Sequence, residues 1–76
     1  GTVSISKGAG ACAIFQIKEG QNIWVCDLNY SASTNSINLL PGNYKLSYRF
    51  GRSTSTAHTI VKTFKITSGY QENITL

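Results

Sequence analysis

The stretch LLPGNYKLSYRF (residues 39–50) joins a turn signal to a clear strand pattern. Pro41 and Gly42 match the central positions of a type II turn, because proline presets φ at the first position and glycine accepts a positive φ at the second. Beyond the turn, apolar side chains occupy every second position: Tyr44, Leu46, Tyr48 and Phe50. This alternation predicts a strand with one face in a hydrophobic core.

Six further short segments have the same character, and turn residues separate them. They are TVSIS (2–6), ACAIFQI (11–17), IWVCDL (23–28), SINLL (36–40), HTIVKTFKIT (58–67) and ENITL (72–76). No segment keeps apolar residues at helical spacing for more than a turn. The pattern predicts an all-β fold, a small antiparallel β-sandwich of about seven short strands in one domain over residues 1–76. Gly20 and Gly69 mark two of its turns.

Composition limits the classes of partner. Charged residues make up 13 % of the chain, and apolar residues make up 41 %, a share that argues against disorder. The net charge of +4 is a modest solubility charge, or else it indicates an acidic partner such as a polyanionic glycan or an anionic membrane surface. No nucleic-acid-binding motif is present, so a nucleic-acid partner is not expected. No apolar run is long enough to predict a transmembrane segment.

The chain opens on Gly1 and contains no methionine. We therefore expect a processed product or a module of a longer protein. A chain of this length has a thin core and usually needs a covalent link or a partner for stability.

The two cysteines carry the most specific structural prediction. KEG (18–20) predicts a three-residue hairpin loop with Gly20 in the left-handed conformation. With that loop Cys12 lies directly opposite Cys26, at a Cα separation of about 4.5 Å, which suits a disulfide. A disulfide predicts an oxidising location: periplasmic, cell-surface or secreted. The alternatives are two free buried thiols or half of a metal site, for which His58 is the one further soft ligand.

Residues suited to catalysis are scarce. His58 is the single histidine and is interpreted as a loop residue, and the three acids are Glu19, Asp27 and Glu72. No G-x-S-x-G motif and no phosphate-binding glycine loop occurs. We predict a non-enzymatic protein with no cofactor and no metal.

The predicted hairpin is apolar on both faces. Its register puts Ile14, Trp24 and Leu28 on the side of the disulfide, and Phe15, Ile17, Ile23 and Val25 on the other side. Because a sandwich sheet has one core face, one side is either an exposed patch for a partner or is covered by loops or the first strand. The candidate binding surface is Ile14, Trp24, Leu28, Tyr30 and Tyr70. The aromatic residues expected in the core are Phe15, Tyr44, Tyr48 and Phe64.

Asn29 and Asn73 begin N-x-[ST] patterns for N-glycosylation. They matter if the source is a secretory eukaryote.

The closing half, INLLPGNYKLSYRF (37–50) and VKTFKITSGYQENITL (61–76), resembles PEGA-type and carboxypeptidase-regulatory-like modules. Leu40, Pro41, Gly42 and Tyr44 match the turn of those modules, and Ser68, Gly69 and residues 74–76 match their closing hairpin. The chain departs from the pattern in having one proline at the turn and in adding the cysteine pair. The resemblance implies a transthyretin-like β-sandwich, usually a non-catalytic accessory or surface module of a larger bacterial envelope protein.

Three functions fit these features. The first is a β-sandwich module that contacts another envelope or secreted protein, or acts as a spacer. The second is a carbohydrate-binding module that stacks a glycan on Trp24 with Tyr30 or Tyr70. The third is a small secreted inhibitor or toxin-like protein. Edge strands could also pair between molecules and form an oligomer.

Overall fold

The computed structural model of the chain describes residues 1–50 and 59–76, and for residue 50 it describes the backbone alone. Its seven strands are β1 (Thr2–Ser6), β2 (Gly10–Lys18), β3 (Gln21–Asp27), β4 (Thr34–Asn38), β5 (Gly42–Phe50), β6 (Thr59–Ile66) and β7 (Gln71–Thr75). The predicted all-β fold of about seven short strands is confirmed. Within the two described ranges, no helix has the length and hydropathy needed to cross a membrane.

The strands form two sheets. One has the order β4-β1-β7 and the other has the order β3-β2-β5-β6. Every strand pair is antiparallel except β1 with β7, which is parallel. The prediction of a purely antiparallel fold is wrong at that pair. The two strands are the first and last of the chain, so no short hairpin constrains their direction.

The core lies between the sheets, in a β-sandwich-like arrangement. The buried apolar side chains come from both sheets: Val3, Ile5, Cys12, Ile14, Leu39, Tyr44, Leu46, Tyr48, Ile66 and Ile74. The alternation in β5 holds for Tyr44, Leu46 and Tyr48, which are all buried. The rings of Tyr44 and Phe64 are stacked with centroids 5.6 Å apart.

The Pro-Gly turn connects β4 to β5 with a geometry that differs from the prediction. Gly42 has φ 157°, whereas the third residue of a type II turn has about +80°. Gly42 is instead the first residue of β5 and pairs with Ile66. The hydroxyl of Tyr44 donates a 2.6 Å hydrogen bond to the carbonyl of Leu40 and holds the turn against the strand. Gly69, before β7, has φ 81° in the left-handed region.

The hairpin between β2 and β3 has a two-residue loop, so the predicted three-residue loop is wrong. Lys18 pairs with Gln21, and the loop residues Glu19 and Gly20 have φ 54° and 75°. Two consecutive positive φ values are those of a type I′ turn, whose twist matches that of the flanking strands. The register is therefore displaced by one residue from the predicted one. It is displaced again at Val25, which bulges between the pairs Phe15–Trp24 and Ile14–Cys26.

The predicted disulfide is also wrong: Cys12 and Cys26 are free thiols. Cys26 lies opposite Ile14, while the carbonyl of Cys12 accepts a 2.8 Å hydrogen bond from the N–H of Leu28. The two cysteines are thus diagonal neighbours on one face. Diagonal positions are roughly 7–8 Å apart, beyond the usual Cα separation of up to about 6.8 Å in a disulfide.

Candidate functional site

The four-stranded sheet has a second face, which points away from the core and which we call the outer face. Its side chains alternate along each strand with those that face the core. The strands β2 and β3 contribute Ala13, Phe15, Ile17, Asn22, Trp24 and Asp27, and the strands β5 and β6 contribute Asn43, Lys45, Ser47, Arg49, Val61, Thr63 and Lys65.

Trp24 is the most prominent apolar residue of this face. It pairs with Phe15 and is 58 % exposed. Its indole Nε1 donates a 3.1 Å hydrogen bond to Oδ1 of Asp27. Residues three apart in a regular strand point to opposite faces. The bulge at Val25 removes that mismatch and brings the indole and the carboxylate to the same side.

Phe15 and Ile17 extend the apolar area from Trp24 into the middle of the sheet. Both side chains are half-buried. Phe15 was expected in the core, and the structure places it on the outer face between Trp24 of β3 and Lys45 of β5. The expectation failed because β2 is apolar on both faces, and its pattern cannot show which face is covered.

The half of the outer face formed by β5 and β6 is basic. Lys45 lies in the row of Phe15, and Arg49 and Lys65 lie at either end of the same face. The one acid among the described residues of this face is Asp27, whose Oδ1 already accepts the indole N–H. The outer face therefore combines an apolar half with a cationic half.

Two residues of the predicted binding surface belong to the other side of the hairpin. Ile14 is fully buried at 0 % exposure, and Leu28 is half-buried against the core. The predicted grouping of Ile14 and Leu28 with Trp24 is wrong. It depended on the disulfide register, and the observed register turns Trp24 to the opposite face.

The two tyrosines of that surface are exposed but lie far apart. The carbonyl of Tyr30 accepts a hydrogen bond from Lys7, which follows the end of β1, and the carbonyl of Tyr70 accepts one from Thr2 at its start. Five strand residues span about 16 Å, so Tyr30 and Tyr70 lie near opposite ends of the molecule. Tyr30 lines a cleft of the outer face together with Asp27 and Arg49, and it therefore lies near Trp24, whose indole bonds Asp27. Tyr70 lies beside Thr2 and Leu39, away from that cleft.

Both asparagines of the N-glycosylation patterns are exposed. Asn29 Oδ1 accepts hydrogen bonds from the N–H and the hydroxyl of Ser31 at 3.1 and 3.2 Å. Asn73 Oδ1 accepts one from Gln71 at 3.0 Å. Their glycosylation remains a prediction.

The residues with side chains suited to catalysis or metal binding are His58, the two cysteines and the three acids. His58 lies outside the described residues. In the part of the chain that the structure describes, no three His, Cys, Asp or Glu side chains cluster as metal ligands do. Burial raises the pKa of the Cys12 thiol to about 11, against the opposing effect of Lys7, and burial also raises the pKa of Cys26. Thiols with raised pKa are poor nucleophiles at neutral pH.

Comparison of the chain with protein-family models, with curated proteins and with solved structures finds no match. The function is therefore inferred from the chemistry of the outer face.

Proposed function

We propose that the protein is a non-catalytic β-sandwich module that binds an acidic partner protein through the outer face. The observation that carries the proposal is the exposed indole of Trp24 beside Phe15 and Ile17, on a sheet whose other face already supplies the core. Apolar surface that the fold itself does not cover marks interaction sites. Tryptophan is also enriched among the residues that dominate binding energy.

The charges of the outer face define the partner. Lys45, Arg49 and Lys65 lie next to the apolar half, and the whole chain has a net charge of +4. Complementary charge increases the association rate and selects among partners. The partner's binding surface therefore has an apolar side chain that contacts the area around Trp24, and Asp or Glu residues that contact the basic half of the outer face.

A neutral glycan fits this face less well. A stacking platform would consist of Trp24 with Tyr30 alone, because Tyr70 lies elsewhere. The three cations of the outer face would have no counterpart on a neutral glycan. An inhibitor or toxin acting through a disulfide-linked hairpin loses its basis, since the cysteines are free thiols.

We also propose that the fold is transthyretin-like and that the chain works within an envelope or secreted protein. Support comes from the seven strands in two sheets and from the Leu-Pro-Gly-x-Tyr turn. The free thiols remove the argument for an oxidising compartment. The proposed location therefore depends on the resemblance to PEGA-type modules.

The test uses a displayed library of random peptides, selected on the wild-type chain. We expect enriched peptides to combine an aromatic or large aliphatic residue with several acids. Their binding should fall at least tenfold with Trp24→Ala and also with Lys45→Glu. Ser36→Ala, on the opposite sheet, is the matched control and should bind as the wild type does.

Three results would overturn the proposal. The first is a selection that enriches no peptide, and the second is a set of enriched peptides that bind Trp24→Ala as tightly as the wild type. The third is quenching of Trp24 fluorescence by neutral oligosaccharides such as chitohexaose but not by the acidic peptides. The last result would favour the carbohydrate-binding alternative. Circular dichroism of each variant shows whether the fold is retained.

A further inference from the structure

Strand β4 has one edge without a neighbour among the described residues. Of the strands in residues 1–50 and 59–76, it pairs with β1 alone. At the two ends of this pair, the N–H of Lys7 donates to the Ser33 carbonyl and the N–H of Leu39 donates to the Gly1 carbonyl. Because backbone hydrogen bonds recur at every second residue, the odd-numbered residues of β4 bond to β1. In an antiparallel ladder the alternate residues point the other way. The backbone N–H and C=O groups of Thr34, Ser36 and Asn38 therefore line the free edge.

The other three edges carry features that discourage pairing. The carbonyl of Thr75 in β7 accepts a 3.5 Å hydrogen bond from Lys62 of β6, and β6 itself carries Lys62 and Lys65. Strand β3 has the bulge at Val25 and a charge at Asp27. Charges, bulges and covering side chains are the usual protection of edge strands. The sequence of β4, TNSIN, has no charge, no proline and no bulge.

One side chain of β4 lacks a hydrogen-bond partner. The Nδ2 atom of Asn35 is buried and donates to no acceptor among the described residues. Asn35 lies opposite Ile5, on the core side of the sheet. A buried amide donor without a partner is destabilising, so such groups generally have an acceptor in the functional state.

We propose that β4 pairs antiparallel with β4 of a second copy of this chain, about a two-fold axis at Asn35. Asn35 then faces Asn35 of the second copy in a non-hydrogen-bonded pair, in which side chains approach closely. Rotation of the carboxamides lets each Nδ2 donate to the Oδ1 of the other. Thr34 and Ser36 face Ser36 and Thr34 of the second copy and exchange backbone hydrogen bonds. The dimer has one continuous six-stranded sheet.

The charge distribution favours a second copy at this edge. Two chains of net charge +4 repel each other wherever their cations meet. The side chains on the solvent side of the sheet that contains β4 are all uncharged: Thr2, Ser4, Ser6, Thr34, Ser36, Asn38, Gln71, Asn73 and Thr75. Pairing at β4 joins two copies without opposing like charges. A contact this small gives a weak dimer that forms at high concentration.

The test begins with sedimentation velocity and amide hydrogen exchange of the wild-type chain, from micromolar concentration to roughly 1 mM. We expect a monomer–dimer equilibrium. The amides of Thr34 and Ser36 should become protected as the dimer forms. The amide of Asn73, which faces the other edge of the same sheet, should not change.

Two proline variants form a matched pair. Ser36→Pro removes an N–H that points out of the free edge of β4. Asn73→Pro removes an N–H that points out of the edge of β7, because the even-numbered residues of β7 are the ones that bond to β1, as Leu76 does to Ser6. Proline is tolerated at such outward positions of edge strands. Ser36→Pro should abolish the dimer, and Asn73→Pro should retain it.

Ser36→Lys keeps the backbone N–H groups and should raise the dissociation constant of the dimer at least tenfold. This variant tests the proposal even if the proline variant fails to fold. The proposal is overturned by a wild-type chain that stays monomeric at roughly 1 mM. It is also overturned by a dimer that survives Ser36→Lys, or by one that Asn73→Pro abolishes as well.

Discussion

The ammonium group of Lys7 donates a hydrogen bond to the backbone carbonyl of Tyr30, 3.1 Å away, just beyond the end of β1. It also donates to the carbonyls of Gly8 and Gly10 at 3.4 and 3.3 Å, and it lies 5.9 Å from the centre of the Tyr48 ring. Lys7 is 5 % exposed. This lysine therefore connects the segments that follow β1 and β3. Sequence reasoning missed it, because a lysine followed by Gly-Ala-Gly is typical of a solvent-exposed loop.

Replacing Lys7 by methionine should lower the free energy of unfolding by about 1–3 kcal/mol, because the carbonyls lose their donor while the apolar stem is retained. Lys62→Met is the control. Lys62 is exposed and donates one long hydrogen bond, so its replacement should change stability by less than about 0.5 kcal/mol. Urea denaturation measures both. Equal effects of the two variants would contradict the role given to Lys7.

Glu19→Asn should raise the free energy of unfolding by about 0.5–1 kcal/mol. Glu19 has φ 54° in the type I′ loop, a conformation that asparagine adopts more easily than glutamate. Thermal and urea denaturation report the change. In a three-residue loop Glu19 would not be left-handed, so an unchanged stability would favour that loop.

Gly20→Val is the converse substitution in the same turn. It should lower the free energy of unfolding by more than about 1 kcal/mol, because a β-branched residue resists the φ of 75°. The open space around Gly20 excludes a steric clash as the cause. A melting temperature equal to that of the wild type would count against the left-handed conformation at this position.

Tyr44→Phe should lower the free energy of unfolding by about 1 kcal/mol, since it removes the hydrogen bond to the Leu40 carbonyl and keeps the stacked ring. Tyr70→Phe removes a hydroxyl from a residue that is 72 % exposed and should have almost no effect. Urea denaturation of both variants checks the difference. A loss that is as large for Tyr70 as for Tyr44 would argue against a role for this hydrogen bond in the turn.

Ile14→Ala and Trp24→Ala separate the two faces of the hairpin. The first should cost about 2–5 kcal/mol as a core truncation, and the second should cost less than about 1 kcal/mol. Trp24 is the only tryptophan, so its emission should be red-shifted and readily quenched by acrylamide. A blue-shifted, protected emission would show that Trp24 is covered.

Stability should fall between about pH 9 and pH 11. Burial holds the pKa of Cys12 at about 11 in the folded chain, against 9.0 for an unperturbed thiol. Unfolding in this range releases a proton, so each rise in pH favours the unfolded chain. Burial raises the pKa of Tyr44 as well, which acts in the same direction at higher pH.

Urea denaturation at pH 8 and pH 10.5 measures this loss, and Cys12→Ala should reduce its slope. Thiol titration in denaturant should find two free thiols, with Cys12 slow to react in the folded chain because it is buried. If no thiol is titrated in denaturant, the two cysteines form a disulfide and the assignment of free thiols is wrong.

The strands could be predicted from the sequence because alternation is a local property. The apolar residues Tyr44, Leu46 and Tyr48 recur at every second position, and a single strand suffices to show which of its faces is buried. Glycine and proline mark the ends of strands for an equally local reason, their restricted or extended range of φ.

The site could not be predicted in the same way, because it depends on register. Compared with the predicted hairpin, the observed one has a loop that is one residue shorter, at Glu19 and Gly20, and a bulge at Val25. Trp24 therefore lies on the outer face, and Cys12 is not opposite Cys26. Neither displacement leaves a mark in β2, whose two faces are both apolar. Register is decided by the energy of all cross-strand contacts together.

The sequence by itself determined the fold class, the seven strands and the core face of β5, since each follows from spacing along the chain. Only the tertiary structure decided that Trp24 and Asp27 share a surface with Lys45, that Lys7 is buried among carbonyls, and that one edge of β4 has no neighbour in the part of the chain that the structure describes. These relationships join residues far apart in the chain. They form when the two sheets pack and the register of every strand is settled at once, and no local pattern encodes that outcome.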